Sequence, residues 1–294
     1  MGESGRLAAY VELVKVRLSA LAVFAVLAGL FLGAEGVPSW WLVLPTLLGT
    51  IAVAAGGNAL NMYIERDSDP KMERTEGRPL PTGRLSPVEV RRFGLICAGG
   101  GLGLLWVTTN IWATGLCLLI FTTYVMVYTP MKRVSTFNTL VGAVPGALPP
   151  VVGYAASSGR VDFWAAVLFL IVFFWQIPHF LAIAWRYRDQ YRRAGLQMLP
   201  VVDTKGHMTA VQMVVYCVCL LAVSVLPSTG FMRMTGELYM YVAILLGAIF
   251  LLSTVFAAVV RTPFAMYQCF SVSIIYLPLL FSAMVLDKYL TAVN

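Results

Sequence analysis

Long apolar runs alternate with shorter polar segments along the whole chain. A helix needs about 20 predominantly apolar residues to cross a bilayer, because the hydrocarbon core is about 30 Å thick. Runs of this length predict nine membrane-spanning helices, at residues 18–34, 41–63, 93–110, 112–130, 138–156, 163–183, 210–227, 238–259 and 264–286. We therefore expect an all-α, polytopic membrane protein that forms a single domain over residues 1–294.

The fifth apolar run carries Pro145, Pro149 and Pro150 at membrane depth. Each proline removes a backbone donor and clashes with the preceding turn, so an ordinary straight helix is excluded here. Irregular backbone within a bilayer is tolerated only where it is buried in protein or lines a cavity. This segment is therefore expected to form one wall of a central apolar cavity, with about nine helices around it.

Charged residues make up only 12% of the chain and are unevenly placed. Of the 21 lysines and arginines, 18 fall in one set of alternate loops. Because cytoplasmic loops carry the excess of these residues, that set of loops and the N-terminus are expected in the cytoplasm. An even number of helices, which would also place the C-terminus inside, is the main alternative. The net charge of +7 then reflects topology, and no nucleic-acid partner is expected.

Cysteines, histidines and the N-terminal segment narrow the class further. All five cysteines lie inside predicted helices and lack a zinc or redox spacing. The two histidines, His179 and His207, are too few for a multi-histidine metal centre. The N-terminal segment resembles neither a transit peptide nor a removable signal peptide, so a bacterial cell (inner) membrane is the expected location.

Two loops, at residues 64–92 and 184–209, are much longer than the others. Both lie on the predicted cytoplasmic face. Loops longer than about 12–15 residues are uncommon in compact folds and are often functional. The candidate chemistry is therefore expected on this face of the membrane.

A stripe of polar side chains leads into the first long loop. Asn61, Glu65 and Asp69 are spaced i, i+4 and i+8, so on a helix they share one face. Two carboxylates one turn apart repel each other, which calls for a compensating cation. Mg²⁺ is suitable, because it binds through one or two carboxylates together with substrate phosphates. The stripe therefore predicts a magnesium–phosphate site.

A simpler interpretation of these acids stays open. In that case the segment is a solvated helix end, and its acids pair with the neighbouring basic residues Arg66, Lys71 and Arg74. Asp67 lies off the stripe on an ideal helix, but Pro70 ends the helix nearby and frees the local geometry. We therefore keep Asp67 as a further candidate ligand.

Basic residues on the same face suit a phosphate group. Lys132 and Arg133 follow the fourth apolar run, and Arg17 precedes the first. Lysine and arginine bind phosphate oxygens, arginine with bidentate geometry. Each residue alone would also serve as an anchor at the cytoplasmic end of a helix. Their location on the face that holds the acids favours a phosphate site.

Polar residues also mark the end of the sixth run and the second long loop. Gln176 and His179 lie near the inner end of that run, and Asp189 follows in the loop. A polar residue at membrane depth is a functional candidate by default. A histidine that is hydrogen-bonded to a backbone carbonyl explains His179 equally well.

These segments resemble a known family. The run from Asn61 to Thr75, which reads Asn-Met-Tyr-Ile-Glu-Arg-Asp-Ser-Asp-Pro-Lys-Met-Glu-Arg-Thr, is similar to the first signature of the UbiA-type intramembrane prenyltransferase superfamily. Within that superfamily it resembles the protohaem IX farnesyltransferases, also called haem O synthases. Further similar segments lie at residues 10–17, 128–133, 142–153, 175–180 and 187–195. The resemblance runs in order over nearly the whole chain.

The resemblance implies roles for individual residues. Asn61, Glu65 and Asp69, with Asp67, would hold Mg²⁺ and the diphosphate of farnesyl diphosphate, and Asp189 would hold a second metal ion. Lys132 would bind the diphosphate during catalysis. The other substrate-binding candidates are Arg17, Asn58, Arg66, Lys71, Arg74, Arg78, Tyr128, Arg133 and His179.

Two positions depart from the family pattern. The family usually has Asp where this chain has Glu65, which moves a carboxylate by one methylene group. It also has a second acid where this chain has Gln190, which removes one ligand from the second metal site.

The implied reaction is transfer of a farnesyl group from farnesyl diphosphate to a vinyl side chain of haem B, which gives haem O. No covalent enzyme nucleophile is required. A prenyltransferase for another acceptor, such as a quinone-precursor aromatic, would share the diphosphate site and stays open. A transporter is a weaker alternative, because a transport path should place polar groups near the midplane. The lipid bilayer is an obvious partner, and a complex with a downstream haem-modifying enzyme is left open.

Overall fold

The computed structural model describes residues 3–230 and 233–292, and within them the side chains at 3, 4, 17, 18 and 292 are not described. The expected contact of the Arg17 side chain therefore lies outside the described part. The described residues form α-helices and no strand, in the order α1 (Glu3–Val14), α2 (Val16–Gly33), α3 (Trp40–Glu65), α4 (Pro87–Thr108), α5 (Ile111–Thr122), α6 (Thr129–Met131), α7 (Asn138–Ala147), α8 (Pro149–Ser158), α9 (Phe163–Arg186), α10 (Arg188–Arg193), α11 (Leu199–Val202), α12 (His207–Ser224), α13 (Glu237–Val260) and α14 (Pro263–Ala292).

The expected multi-pass architecture is confirmed. Among the described residues, eight helical segments are long and apolar enough to cross a membrane: Trp40–Glu65, Pro87–Thr108, Ile111–Met131, Asn138–Ser158, Phe163–Arg186, His207–Ser228, Glu237–Val260 and Pro263–Thr291. The pair Gly5–Val14 and Ser19–Gly33, bent by 52°, adds a ninth if it is counted as one span. The protein is thus a helical, multi-pass membrane protein of about nine spans.

The proline-rich fifth run is interrupted, as its sequence predicts. Helix α7 ends at Ala147 and α8 begins at Pro149, with Leu148 between them. Proline at the first position of α8 costs no hydrogen bond, because that amide would lack a helical partner in any case. In its most apolar stretch this span is 72% buried, more than any other span in the described part of the chain. It therefore lies at the centre of the bundle.

Helices α2 and α8 pack closely because glycines line their contact. A Cβ atom on Gly153 would overlap the carbonyl oxygen of Val26, and one on Gly29 would overlap that of Pro150. Small residues allow such close backbone approach between membrane helices, where packing rather than the hydrophobic effect drives association. These two helices place the first span against the broken span.

We expect Gly153→Ala to lower the melting temperature of the purified protein, because the added methyl group must push α2 and α8 apart. Overpacking of a tight core costs about 1–3 kcal/mol. Gly99→Ala is the matched control, since a Cβ atom at Gly99 in α4 meets no atom within 4 Å. Thermal unfolding in detergent measures both. Equal melting temperatures for the two variants would contradict the role of Gly153 in packing.

The two long loops, at residues 64–92 and 184–209, are more ordered than their sequences indicate. In the first, a 3₁₀ turn covers Asp69–Lys71, and α4 begins at Pro87, six residues before the predicted span. Ser86 and Glu89 form a capping box that starts this helix. In the second, α10 and α11 occupy part of the segment. Both loops therefore hold side chains in defined positions.

Candidate active site

An apolar cavity of about 390 Å³ lies inside the bundle. Its walls come from α2, α3, α5, α7, α8, α9 and α14, together with a short π-helical segment, Thr123–Tyr128, that follows α5. Most of the lining side chains are apolar, among them Val53, Phe121 and Val172. Lys15 and Tyr128 contribute polar groups to the lining. The predicted central apolar cavity is present.

Buried opposite charges meet at one side of this cavity. Lys132 Nζ lies 2.7 Å from Glu65 Oε1, and Arg78 Nη1 donates to both carboxylate oxygens of Asp69 at 2.8 Å. Arg78 Nη1 is also 3.7 Å from Glu65 Oε2. Glu65 and Asp69 are 7% and 0% exposed. We call these four residues the charged cluster.

The charged cluster adjoins the cavity through Tyr128. The ammonium of Lys132 lies 4.4 Å from the centroid of the Tyr128 ring, and this ring lines the cavity. Tyr124 stacks on Tyr128 with ring centroids 5.6 Å apart and lines the cavity as well. The two aromatic faces therefore separate the buried charges from the apolar interior.

Asn61 connects a third basic residue, Lys15, to the site. Its Oδ1 accepts a hydrogen bond from Lys15 Nζ at 3.0 Å, and its Nδ2 donates to Thr129 Oγ1 at 3.1 Å. Lys15 sits at the break between α1 and α2 with φ 53°, a left-handed conformation that is costly for a residue with a side chain. That break brings the ammonium group into the cavity wall.

Lys15 was not among the site residues predicted from the sequence. By position it resembles the other lysines and arginines on the same side of the membrane, and only its contact with Asn61 in the folded protein distinguishes it. The available signal was its place in the segment 10–17, which is part of the family resemblance.

Local hydrogen bonds explain why the two acids lie together. Helix α3 ends at Glu65, where the backbone amide and the hydroxyl of Ser68 both donate to the Glu65 carbonyl at 2.9 Å. The hydroxyl of Thr75 donates to the Asp69 carbonyl at 2.8 Å and holds the following turn. Asp69 therefore stays close to Glu65 although it no longer belongs to the helix.

Burial and charge shift the ionisation of the cluster residues outside the spans. Burial raises the pKa of the Asp69 carboxyl above its ordinary value, although Arg78 opposes the shift. Burial lowers the pKa of Lys132, but Tyr128 and Glu65 outweigh it, and the net pKa lies above the ordinary value. The surroundings of Lys132 therefore favour its charged form, whereas burial disfavours the charged form of Asp69 and the positive charge of Arg78 favours it.

The donor set suits a magnesium ion that is shared with a substrate. One nitrogen of Arg78 lies within 4 Å of oxygens from both Glu65 and Asp69, so a single cation can contact both acids. Within residues 3–230 and 233–292, no group of three or more His, Cys, Asp or Glu side chains converges on a metal position. Mg²⁺ commonly takes only one or two carboxylates and completes its shell with water and phosphate oxygens. Asn61, Glu65 and Asp69 fit that requirement.

Two predicted metal ligands lie outside the charged cluster. The side chain of Asp67 is 73% exposed and lies 3.8 Å from Arg66. The side chain of Asp189 is 74% exposed and pairs with Arg192 at 2.9 Å. Both carboxylates face outward and pair with neighbouring arginines, so neither of them joins the charged cluster. Their metal-binding roles stay predictions.

Several predicted phosphate ligands lie at the edge of the site. Arg133 is exposed and reaches the Ile64 carbonyl at 3.5 Å, and Lys71 is exposed. Asn58 lies closer, because it lines the cavity and donates to the Val14 carbonyl at 3.1 Å. Arg66 lies over the ring of Tyr63. These residues surround the cluster rather than enter it.

The two long loops touch each other on this face. Gln190 accepts from the Arg74 amide at 3.4 Å and donates to Glu73 at 3.3 Å. Arg193 pairs with Glu73 at 2.9 Å, and Arg74 donates to the Tyr191 hydroxyl at 3.2 Å. Gln190, which stands where the family usually has an acid, connects the two loops. The two loops therefore contact each other, and Asp189 itself is not part of this contact.

His179 and Gln176 line the cavity on the side formed by α9. Gln176 donates to the Ala143 carbonyl at 2.6 Å. His179 bonds the hydroxyl of Ser273 through Nδ1 at 2.7 Å, so its partner is a side chain and not the backbone carbonyl considered from the sequence. Both polar residues therefore form part of the cavity wall.

Known proteins are similar to this chain over nearly its full length. A "Protoheme IX farnesyltransferase" from Solibacter usitatus (strain Ellin6076) is 41% identical over 288 residues, covering 95% of this chain and 98% of the relative. Another protein of that name, from Koribacter versatilis (strain Ellin345), is 39% identical, with 98% of this chain and 95% of the relative covered.

Solved structures show the same fold at low sequence identity. A digeranylgeranylglyceryl phosphate synthase has a TM-score of 0.80 at 17% identity, with 96% of this chain and 98% of that chain covered. A UbiA homologue from Archaeoglobus fulgidus, bound to DMAPP and Mg²⁺, has a TM-score of 0.66 at 15% identity, with 94% and 98% covered.

A family model covers the helices that build the cavity and the charged cluster. The model of the UbiA prenyltransferase family matches residues 22–284, which is most of the chain. Together with the nearly full-length relatives, this match shows that the chain belongs to the UbiA prenyltransferase family.

Proposed function

We propose that this protein transfers the farnesyl group of farnesyl diphosphate to a vinyl side chain of haem B and so produces haem O. The observation that carries the proposal is the buried charged cluster beside an apolar cavity, in a chain whose nearly full-length relatives bear the name protoheme IX farnesyltransferase. The charged cluster can bind the diphosphate, and the apolar cavity can hold the isoprenoid chain.

The diphosphate end of the substrate binds at the charged cluster. Asn61, Glu65 and Asp69 would hold Mg²⁺, which when bound supplies positive charge that offsets the charge growing on the leaving diphosphate. Lys132 and Arg78 each form an ion pair with an acid of the cluster. They turn toward the phosphate oxygens when the substrate arrives, because cationic donors bind phosphate strongly. The acids hold these two cations in place before the reaction.

The peripheral candidates extend this site. Asn58, Arg66, Lys71, Arg74 and Arg133 would contact the outer phosphate or guide the substrate to the cluster, and the phosphate-binding role of Arg17 stays a prediction. Asp67 and Asp189 would hold a second metal ion if the loops close further around the substrate. Gln190 occupies the loop contact and does not add a carboxylate there.

The reaction then follows from charge and from the exclusion of water. The allylic C–O bond of farnesyl diphosphate breaks, and its electron pair leaves with the diphosphate, because the preorganised cations stabilise that charge. A vinyl carbon of haem B attacks the farnesyl cation and forms the new C–C bond. One water molecule then adds to the resulting cation on the side chain and loses a proton. The hydroxyethylfarnesyl group of haem O results.

The cavity protects the farnesyl cation before it reacts. Tyr124 and Tyr128 line the cavity beside Lys132. Aromatic faces attract cations, with stabilisation that grows when water is absent. Apolar walls keep bulk water from trapping the cation first. The two tyrosines and the walls therefore favour the acceptor over hydrolysis.

We further place the active site on the cytoplasmic side of a bacterial inner membrane. This location rests on the excess of lysine and arginine in the loops that carry the charged cluster. It agrees with a diphosphate substrate that is delivered from water and an acceptor that is delivered from the bilayer.

Incubation of membranes that contain the protein with haem B, farnesyl diphosphate and Mg²⁺ tests the proposal. We expect a haem whose mass has increased by one farnesyl group and one hydroxyl group. Chelation of the divalent metal should stop its formation, and added Mg²⁺ should restore it. Membranes with the Asp69→Asn variant provide the matched blank. Unmodified haem together with farnesylation of an added quinone-precursor aromatic would contradict haem as the acceptor.

A further inference from the structure

The ring of His179 is fixed in the cavity wall on three sides. Trp175 stacks on one face with ring centroids 4.8 Å apart, and the Phe270 centroid lies 5.0 Å away. Nδ1 at the ring edge lies 2.7 Å from the hydroxyl of Ser273. A side chain held in this way has one orientation, so the direction of its remaining nitrogen is set by the protein.

Hydrogen bonding assigns the tautomer of this ring. The hydroxyl of Ser273 donates its only proton to the Phe270 carbonyl at 2.6 Å. Toward His179 it can therefore only accept, so Nδ1 carries the ring proton and donates it. Nε2 is then left with a free lone pair.

The lone pair of His179 Nε2 is accessible from the cavity. Across the described chain, no group forms a hydrogen bond with His179 Nε2. Nε2 is also not among the fully buried polar atoms that lack a partner, so it remains accessible, and the His179 side chain lines the cavity. A ring that served only to fill space would be expected to pair this nitrogen with a protein donor, because an unpaired polar atom within protein is costly. The arrangement leaves an acceptor open to a ligand.

We propose that His179 Nε2 is an axial ligand of the iron in the haem substrate; this inference rests on the proposed function. A neutral imidazole whose other nitrogen donates to a second residue is the usual form of a metal-binding histidine, and histidine is a common axial ligand of haem iron. Among the described residues, His179 is the histidine that lines the cavity. His207 is the first residue of α12 and lies beside Arg261.

Iron ligation by His179 would place the porphyrin in the same chamber as the farnesyl chain. The bond fixes the iron, whereas the new C–C bond forms at the porphyrin edge. His179 is therefore a binding and positioning residue and takes no part in the bond changes. Its loss should raise the KM for haem far more than it lowers kcat.

Haem binding to the purified full-length protein tests this assignment. Haem B is titrated into wild type, His179→Ala and His207→Ala in detergent, and ligation is followed by absorption and resonance Raman spectra. The His207→Ala variant is the matched control, because it removes the other histidine of the chain. We expect histidine-ligated iron in wild type and His207→Ala. In His179→Ala we expect loss of that signature and haem affinity weaker by about tenfold or more.

Two further variants keep the test decisive. His179→Gln retains a polar side chain for Ser273 without an imidazole, and it replaces His179→Ala if that variant does not fold. In His179→Gly, added imidazole should restore the histidine-type spectrum. A histidine signature that persists without His179, or a wild type that binds haem without one, overturns the assignment.

The same samples separate this inference from the proposed reaction. If wild type farnesylates haem and the removal of His179 leaves the spectrum unchanged, the ligand assignment fails and the proposed function stands. If His179 ligates the iron and no farnesylated haem forms with farnesyl diphosphate and Mg²⁺, the proposed function fails and the ligand assignment stands.

Discussion

Asp69→Asn is expected to abolish farnesyl transfer while the protein remains folded in the membrane. The Asp69 carboxylate is fully buried and accepts two hydrogen bonds from Arg78. The amide keeps the shape of the side chain but carries no charge for a metal ion or for Arg78. Removal of one preorganised electrostatic group typically costs about 10²–10³ in kcat. The rate of haem product formation, normalised to the amount of folded protein, measures the loss.

Glu76→Gln is the matched control for this variant. Glu76 belongs to the same loop and is exposed. The same change from carboxylate to amide should leave turnover close to wild type, because the site does not use that charge. Normal turnover in Asp69→Asn would refute the metal assignment. An equal loss in Glu76→Gln would point to the net charge of the loop instead.

Lys132→Met should reduce both stability and turnover. Lys132 holds its ammonium 2.7 Å from the buried Glu65 carboxylate. Removal of one partner of a buried ion pair costs about 3–5 kcal/mol. We expect the lower end of that range, because Arg78 remains 3.7 Å from Glu65. Turnover should fall by about a hundredfold as well, since a donor to the leaving diphosphate is lost.

The double variant Lys132→Met with Glu65→Gln separates these two effects. It removes both charges of the pair, so the melting temperature should return toward that of the wild type. Turnover should stay low, because neither the cation nor the carboxylate is present. Recovery of turnover together with stability would show that the pair is only structural. Thermal unfolding and the haem product assay on the same membranes give both quantities.

The fold was largely predictable because the bilayer imposes a simple length rule. Apolar runs located the spans, and the prolines around Leu148 located the break between α7 and α8. The pattern missed the π-helical turn at Thr123–Tyr128. It also missed the left-handed backbone at Lys15, which separates α1 from α2. Hydropathy depends on side-chain polarity, and both features depend on backbone geometry that side-chain polarity does not encode.

The charged cluster was only partly predictable. Helical spacing predicted that Asn61, Glu65 and Asp69 share one face, and the structure places Glu65 and Asp69 against the same arginine, since α3 continues to Glu65 and a hydrogen-bonded turn holds Asp69 nearby. Periodicity ends where the helix ends, so it could not tell that Arg78 points inward while Asp67 points outward. Long-range partners such as Lys132 were placed by membrane side alone. The actual pairing required the tertiary structure.

Helix α14 is hydrogen-bonded to the end of the first span. Lys288 near the end of α14 donates to the backbone carbonyls of Phe31, Leu32 and Ala34 at 2.6–3.0 Å, and Leu277 of the same helix lines the cavity. The cavity is therefore enclosed only when α14 has packed against the first span. A nascent chain that stops before α14 would carry the charged cluster but would leave this side of the cavity open to its surroundings. A farnesyl cation formed there would lack part of the apolar wall that keeps water away from it.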